Sequence, residues 1–341
     1  MSSQSIETIA NAMVAEGKGI LAIDESSPTI KKRFDSIGAE CTEETRRAYR
    51  ELLIACEGIN EFISGMILYD ETIRQAAGDG TPFPTLLASR GIMPGIKVDG
   101  GAKDLAGHPG EKITEGLDGL RDRLAEYRKL GAPFAKWRAV ITIGDGLPSR
   151  GCIKANCEAL ARYAALCQEA GIVPMVEPEV MLDGDHSIER CYDVCEETLR
   201  ALFAALYDQR VVLEGTILKA SMVLTGNKCA KRAGVEEVAE RTLRCLKNSV
   251  PAALPGIVFL SGGQTPVEAT AHLNAMNAMA GELPWKLSFS YSRALQAPAL
   301  AAWNGDPANG KAAQAALRHR AQLNSAASLG RYKESMETAA A

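Results

Sequence analysis

Apolar and polar positions follow two rhythms along this chain. Short apolar runs, "GILAID", "FISGMILYD", "IMPGIKVD", "FAKWRAVITI", "IVPMVEPEVM", "VVLEGTILKA", "GIVFLSGG" and "LSFSYSRAL", recur at intervals. Each is rich in Val, Ile and Leu and bounded by turn residues, as strands buried on both faces are. Between them lie longer stretches such as "TEETRRAYRELLIACEG", "KANCEALARYAALCQEAGI" and "GVEEVAERTLRCLKNSV", with apolar residues at i, i+3, i+4 and i+7, the spacing of amphipathic helices. Several open on Ser, Thr or Asp and close at Gly, as helices do. Eight strands alternating with helices specify a parallel sheet. At this length a closed (β/α)8 TIM barrel is favoured over an open doubly wound sheet. The open sheet would show a glycine-rich nucleotide turn after its first strand, whereas "GILAIDESSP" has a carboxylate and hydroxyls there. No linker-like tract interrupts the pattern, so a single domain over residues 1–341 is expected, with an alanine-rich final helix and a short flexible tail from about residue 331.

Polar residues gather where these strands end. Asp24 follows "GILAI", Lys97 follows "PGI", Lys136 and Arg138 stand at i,i+2 in "FAKWRAV", and Glu177 and Glu179 do so in "VEPEV". Lys219 lies inside "VVLEGTILKASMV", Ser261, Gly262 and Gly263 close "VFL", and Arg293 follows "FSYS". Strand side chains alternate with period two, so the i,i+2 pairs share a face. In a barrel these ends converge on one mouth, where barrel enzymes do their chemistry. A lone buried lysine reads as a paired structural residue or one that snorkels to a strand end. A ring of ionisable groups on otherwise apolar strands reads as a functional site.

Lys219 beside a second lysine and two carboxylates is chemically specific. An ordinary lysine is almost wholly protonated at neutral pH and cannot attack a carbonyl. Desolvation and a neighbouring cation such as Lys136 are expected to free the amine. Imine formation with a ketone then needs an acid to expel water, for which Glu177 is placed, and Asp24 can take a hydroxyl proton as a carbon–carbon bond breaks. Two stretches read as phosphate cradles. One is "SGGQTPVEAT", glycines leading into a helix start with Arg293 as countercharge; the other is "DESSPTIKKR", with Ser26, Thr29 and Arg33 near Lys97 and Arg138. A plain N-cap is the alternative for each. Two cationic sites at opposite sides of one mouth point to a substrate with a phosphate at each end.

Composition narrows the partners. A net charge of −4 argues against a general binder of nucleic acid or membrane surfaces. Nine cysteines without CxxC spacing read as reduced thiols, and Cys191 and Cys195 at i,i+4 read as packing. Four scattered histidines disfavour a metal site, and no metal or other cofactor is expected. The N-terminus has no signal-like segment and no apolar run reaches spanning length, so a cytoplasmic protein is expected.

The stretch "VVLEGTILKAS" resembles the Schiff-base lysine signature of class I fructose-bisphosphate aldolases. "GKGILAIDES", "DGTPFP", "GIKVD", "FAKWR", "GIVPMVEPE", "DGDH", "FLSGGQ", "LNAMN" and "FSYSRALQ" resemble that family's blocks in that family's order, from about Ile6 to Tyr332. The resemblance implies a (β/α)8 lyase that cleaves fructose 1,6-bisphosphate reversibly to dihydroxyacetone phosphate and glyceraldehyde 3-phosphate. It implies Lys219 as nucleophile, Glu177 as acid/base, Glu179 as a neighbour orienting the lysines, Lys136 as an aid to proton transfer, and Asp24 as base at the C4 hydroxyl. It further implies that Ser261, Gly262, Gly263 and Arg293 hold the C1 phosphate, that Arg138, Lys97, Ser26, Thr29 and Arg33 serve the C6 end, and that the chain is a homotetramer. Two departures stand out: Ser292 where glycine is expected, and an ending, "GRYKESMETAAA", without the terminal tyrosine of the animal enzymes. Glu177 or an ordered water is expected to take over the tyrosine's proton transfer. A non-catalytic scaffold would be expected to lose members of the charged ring, and all are present.

Overall fold

The computed structural model describes residues 5–338. Eight strands form the barrel: β1 (Gly19–Ile23), β2 (Ile63–Leu68), β3 (Met93–Lys97), β4 (Phe134–Ile141), β5 (Val173–Val180), β6 (Ile217–Ala220), β7 (Gly256–Phe259) and β8 (Lys286–Tyr291). Each runs parallel to the next, and β8 pairs with β1 to close the ring. The helices of eight or more residues are α1 (Ile6–Met13), α2 (Ser27–Asp35), α3 (Glu43–Ile54), α4 (Leu120–Lys129), α5 (Arg150–Glu169), α6 (Ile188–Asp208), α7 (Val235–Ser249), α8 (Pro266–Met279), α9 (Arg293–Trp303) and α10 (Gly310–Ser328). This is the (β/α)8 TIM barrel that the alternating pattern predicts.

Two apolar cores hold it. The larger lies between the outer faces of the strands and the helices, and includes Trp137, Tyr163, Phe34, Tyr49 and Trp303. The smaller fills the lower barrel interior with Ile20, Ala22, Ile67, Phe134, Val173, Met175, Ile217 and Val258. Helix α1, N-capped by Ser5, inserts Ile9, Ala10 and Met13 into that interior. Ser64 donates to the Met13 carbonyl at 2.6 Å, fastening α1 to the N-terminal end of the strands. The floor is therefore sealed, and the opposite end is left open.

Strand alternation converts this floor into a site. Phe134, Val173 and Ile217 sit in the floor, and the residues further up on the same face are Lys136 and Arg138, Glu177 and Glu179, and Lys219. Register fixes the neighbours: Lys136 stands opposite Lys97 of β3, and Arg138 opposite Glu177 of β5.

Two local expectations are corrected. Residues 211–223 read as one strand around Lys219, but β6 spans only Ile217–Ala220, and Leu213–Gly215 forms a 3-10 turn. A Cβ on Gly215 would lie 2.5 Å from Ile6 Cδ1, so the turn closes directly on α1 instead of extending the sheet. The tail expected to be flexible from about residue 331 is docked over its described part. Tyr332 N–H donates to Asn274 Oδ1 at 2.9 Å, its hydroxyl donates to Glu337 at 2.8 Å, and Glu337 pairs with the buried Arg320 of α10. The last three residues of that tail lie outside the described ones.

Candidate active site

The mouth of the barrel opens into a cavity of about 1120 Å³ lined by Asp24, Lys97, Lys136, Glu177, Lys219 and the Ser261–Gly263 loop, among others. At its base four buried ionisable groups alternate in sign. Lys219 Nζ lies 3.0 Å from Glu177 Oε1. Glu177 Oε2 lies 3.4 Å from Lys136 Nζ, and Lys136 lies 2.6 Å from Asp24 Oδ2. The side chains of Lys219, Glu177 and Lys136 are 6%, 4% and 4% exposed, so each charge depends on its neighbours rather than on water.

The quartet balances two positive charges against two negative ones. Burial alone would raise the Asp24 carboxyl, but Lys136 and Lys219 outweigh it and hold it at about 2. Glu177 is likewise lowered, because Lys219, Lys136 and Arg138 overcome its burial. Burial would lower Lys136, yet Asp24 and Glu177 together raise it. At neutral pH both carboxylates are ionised and Lys136 is a fixed cation. Lys136, expected to help free the Lys219 amine as a neighbouring cation, is separated from it by Glu177. The geometry instead offers Lys219 a proton acceptor at hydrogen-bond distance.

Glu179, expected to orient the lysines, is committed elsewhere. Two residues beyond Glu177 on β5, it pairs with the Arg138 guanidinium of the adjacent strand. Lys97 turns to Asp99, 2.5 Å from Oδ1. Arg33 pairs with Glu25 and donates to Ser292 Oγ at 2.9 Å. Arg293 is exposed, lines the cavity at the first position of α9, and makes no ion pair among the described residues.

The two helix starts differ. At α8, Thr265 accepts from Glu268 N–H while the Glu268 carboxylate accepts from Thr265 N–H at 2.8 Å, a capping box that fills the terminus and sets a negative charge there. Anion binding on that side falls to the glycine loop before it, where Gly263 takes a φ of +72° that only glycine adopts without strain. At α2, the N-cap Ser26 makes no capping bond, and its hydroxyl meets that of Thr29 at 3.2 Å. Both hydroxyls remain open to a ligand. Of the second cradle, Arg138 on β4 stands across the barrel from β8, but the α2 helix start does not. β1 pairs with β8, so α2 adjoins the start of α9, and Arg33 touches Ser292.

Sequence reasoning missed Glu25, Arg50, Asp99 and Gln296. Glu25 is buried next to Asp24 and faces Arg50 of α3 at 2.5 Å. One signal was available: Arg50 falls on the same helical face as Tyr49, Leu53 and Ile54, and an arginine on an apolar face needs a buried acid.

Comparisons with known proteins agree with this geometry. The family described as Fructose-bisphosphate aldolase class-I matches residues 5–341. A "Probable fructose-bisphosphate aldolase class 1" of Xanthomonas campestris pv. campestris is 63% identical over 98% of this chain and 100% of its own length. "Fructose-bisphosphate aldolase 6, cytosolic" of Arabidopsis thaliana is 53% identical over 96% of this chain and 92% of its own. Among solved structures, fructose-bisphosphate aldolase from Plasmodium falciparum, in a ternary co-crystal with TRAP and a small molecule inhibitor, superposes with a TM-score of 0.95 at 48% identity, covering 96% of this chain and 95% of that one.

Proposed function

Because the chain belongs to the class I fructose-bisphosphate aldolase family and so catalyses the reversible aldol cleavage of fructose 1,6-bisphosphate in glycolysis, we propose that Lys219 is the amine that forms its Schiff base. The observation carrying this assignment is the 3.0 Å approach of Lys219 to Glu177, a buried carboxylate held ionised. Glu177 accepts a proton from the Lys219 ammonium, and the neutral amine attacks the C2 carbonyl of the substrate. Glu177 then returns the proton to the carbinolamine hydroxyl, water leaves, and a protonated imine remains.

Cleavage needs a base and an electron sink. Asp24, held as a carboxylate beside Lys136, takes the C4 hydroxyl proton. The C3–C4 electron pair flows into the iminium to give an enamine as the aldehyde departs. Lys136, a permanent cation between the two carboxylates, stabilises their charges while protons move. Protonation of the enamine at C3, for which Glu177 or a water is the candidate group, and hydrolysis release dihydroxyacetone phosphate. Ser261, Gly262, Gly263 and Arg293 bind the C1 phosphate, and Arg138, Lys97, Ser26, Thr29 and Arg33 serve the C6 end. Glu179 acts by orienting Arg138.

Imine formation exchanges the ketone oxygen with solvent. Dihydroxyacetone phosphate incubated in oxygen-18 water should gain label with the wild type at a rate that Lys219→Met reduces to the uncatalysed one. Label exchange undiminished in Lys219→Met would overturn the assignment. The same family reading carries a homotetramer in the cytoplasm, with the Arabidopsis relative named cytosolic as support; light scattering that gives the mass of a monomer would contradict the tetramer.

A further inference from the structure

One polar cluster at the mouth lies outside the proton relay. The Glu25 side chain is 3% exposed, and groups from three helices converge on it. Arg50 of α3, equally buried, approaches Oε2 at 2.5 Å without hydrogen-bond alignment and donates to the Glu25 carbonyl at 3.3 Å. Arg33 of α2 binds Oε1. Ser292 donates to Oε1 at 2.8 Å, and Gln296 of α9 donates to it at 2.7 Å. The same helices are also joined by an apolar layer, because Phe34, Tyr49 and Trp303 pack with ring centroids 5.0–5.6 Å apart.

Ser292 is the hub of the polar layer. Its oxygen accepts from Arg33 at 2.9 Å while its proton goes to Glu25; the two amide protons of Gln296 go at shorter range to the Ala22 carbonyl at 2.6 Å and to Glu25. One proton and two lone pairs are the whole capacity of a hydroxyl. Its proton and one lone pair are committed inside the cluster, so Ser292 has no proton to give a substrate and acts through the groups it holds. It tethers Arg33, whose two terminal nitrogens both bond inward, and it immediately precedes Arg293.

Charge counting gives the cluster a direction. Glu25 is negative and Arg50 and Arg33 are positive, a net of one positive charge from three groups. Arg50, fully enclosed, balances Glu25. Arg33, 19% exposed and lining the cavity, carries the surplus to the mouth. A guanidinium already held in place removes its ordering cost from the binding step.

We propose that Ser292 is a positioning residue for phosphate binding, given the reading of this mouth as a bisphosphate site: clamped to Glu25, its hydroxyl fixes Arg33 beside the start of α9, where Arg293 stands. A glycine at this position would lack the clamp, so the serine gives this chain a cationic wall organised before substrate arrives.

The test compares Ser292→Ala and Ser292→Gly, which lose the hydroxyl, with Ser292→Thr, which keeps it. KM for fructose 1,6-bisphosphate and the inhibition constant of inorganic phosphate should rise together by about tenfold in Ala and Gly, with kcat within about threefold, and return to within about twofold of wild type in Thr. Unchanged KM and phosphate inhibition in Ala and Gly, whatever the thermal midpoint does, would overturn the proposal, as would Thr behaving like Ala. Borohydride trapping of the wild type with dihydroxyacetone phosphate is run alongside. A wild type that fails to trap removes the reaction assignment; a wild type that traps, with Ala and Gly indistinguishable from it in KM and phosphate inhibition, removes only the positioning role.

Discussion

Glu177 stands between the two buried lysines of the barrel mouth, 3.0 Å from Lys219 and 3.4 Å from Lys136, so a single carboxylate borders both the proposed nucleophile and the fixed cation. Removing its charge while keeping its shape should strip Lys219 of its proton acceptor. Glu177→Gln is expected to slow imine formation by about 10²- to 10⁴-fold, the usual range for a positioned acid/base. The measurement is the rate of borohydride inactivation at saturating dihydroxyacetone phosphate. A rate equal to wild type would show that the proton leaves by another path.

Arg138 and Arg293 should separate the two ends of the substrate. Fructose 1-phosphate lacks the C6 phosphate, so Arg138→Ala should lower kcat/KM for the bisphosphate by about 10- to 100-fold while leaving fructose 1-phosphate within about threefold, on a contact of about 1.5–3 kcal/mol. Arg293→Ala should harm both substrates alike. Equal losses on both for Arg138→Ala would place it at the wrong end.

Asp24 gives the account a pH signature. Its carboxyl titrates at about 2 when folded, below the ordinary value near 3.9. A depressed carboxyl contributes stability above its unfolded value and loses it as pH falls through the folded one; here that is roughly 2 kcal/mol. The gap in thermal midpoint between wild type and Asp24→Asn should therefore be constant above about pH 5 and narrow steadily toward about pH 2. A gap that does not change over that range contradicts the assigned pairing with Lys136.

The docked segment from Tyr332 to Glu337 should matter for stability more than for turnover. Glu337 balances Arg320, whose side chain is 5% exposed. Glu337→Gln leaves that guanidinium without its countercharge, at a cost of about 1–3 kcal/mol. The expected result is a thermal midpoint lower by several degrees with kcat within about threefold of wild type. A collapse of kcat at an unchanged midpoint would instead put Glu337 in the chemistry.

Much of this was legible in the chain because it depends on short-range periodicity. The pairs Lys136/Arg138 and Glu177/Glu179 declare one face at spacing two. What escaped depends on contacts distant in sequence. Glu25 meets Ser292 and Gln296 because β8 closes on β1, a neighbour relation that no local window contains. Arg33 and Arg293 were placed on opposite sides for the same reason. Residues 211–216 read as strand from their Val and Leu content, yet Gly215 fits closely against Ile6 of α1, a contact between residues far apart in sequence. Propensity lost there to tertiary packing.

The central claim is that Lys219 carries the substrate as an imine. The most direct measurement is borohydride reduction in the presence of dihydroxyacetone phosphate, followed by mass mapping of the peptide that gains the label. The account predicts one reduced adduct per chain, on Lys219, and none in Lys219→Met. An adduct on Lys136 or Lys97, or trapping that persists in Lys219→Met, would contradict it.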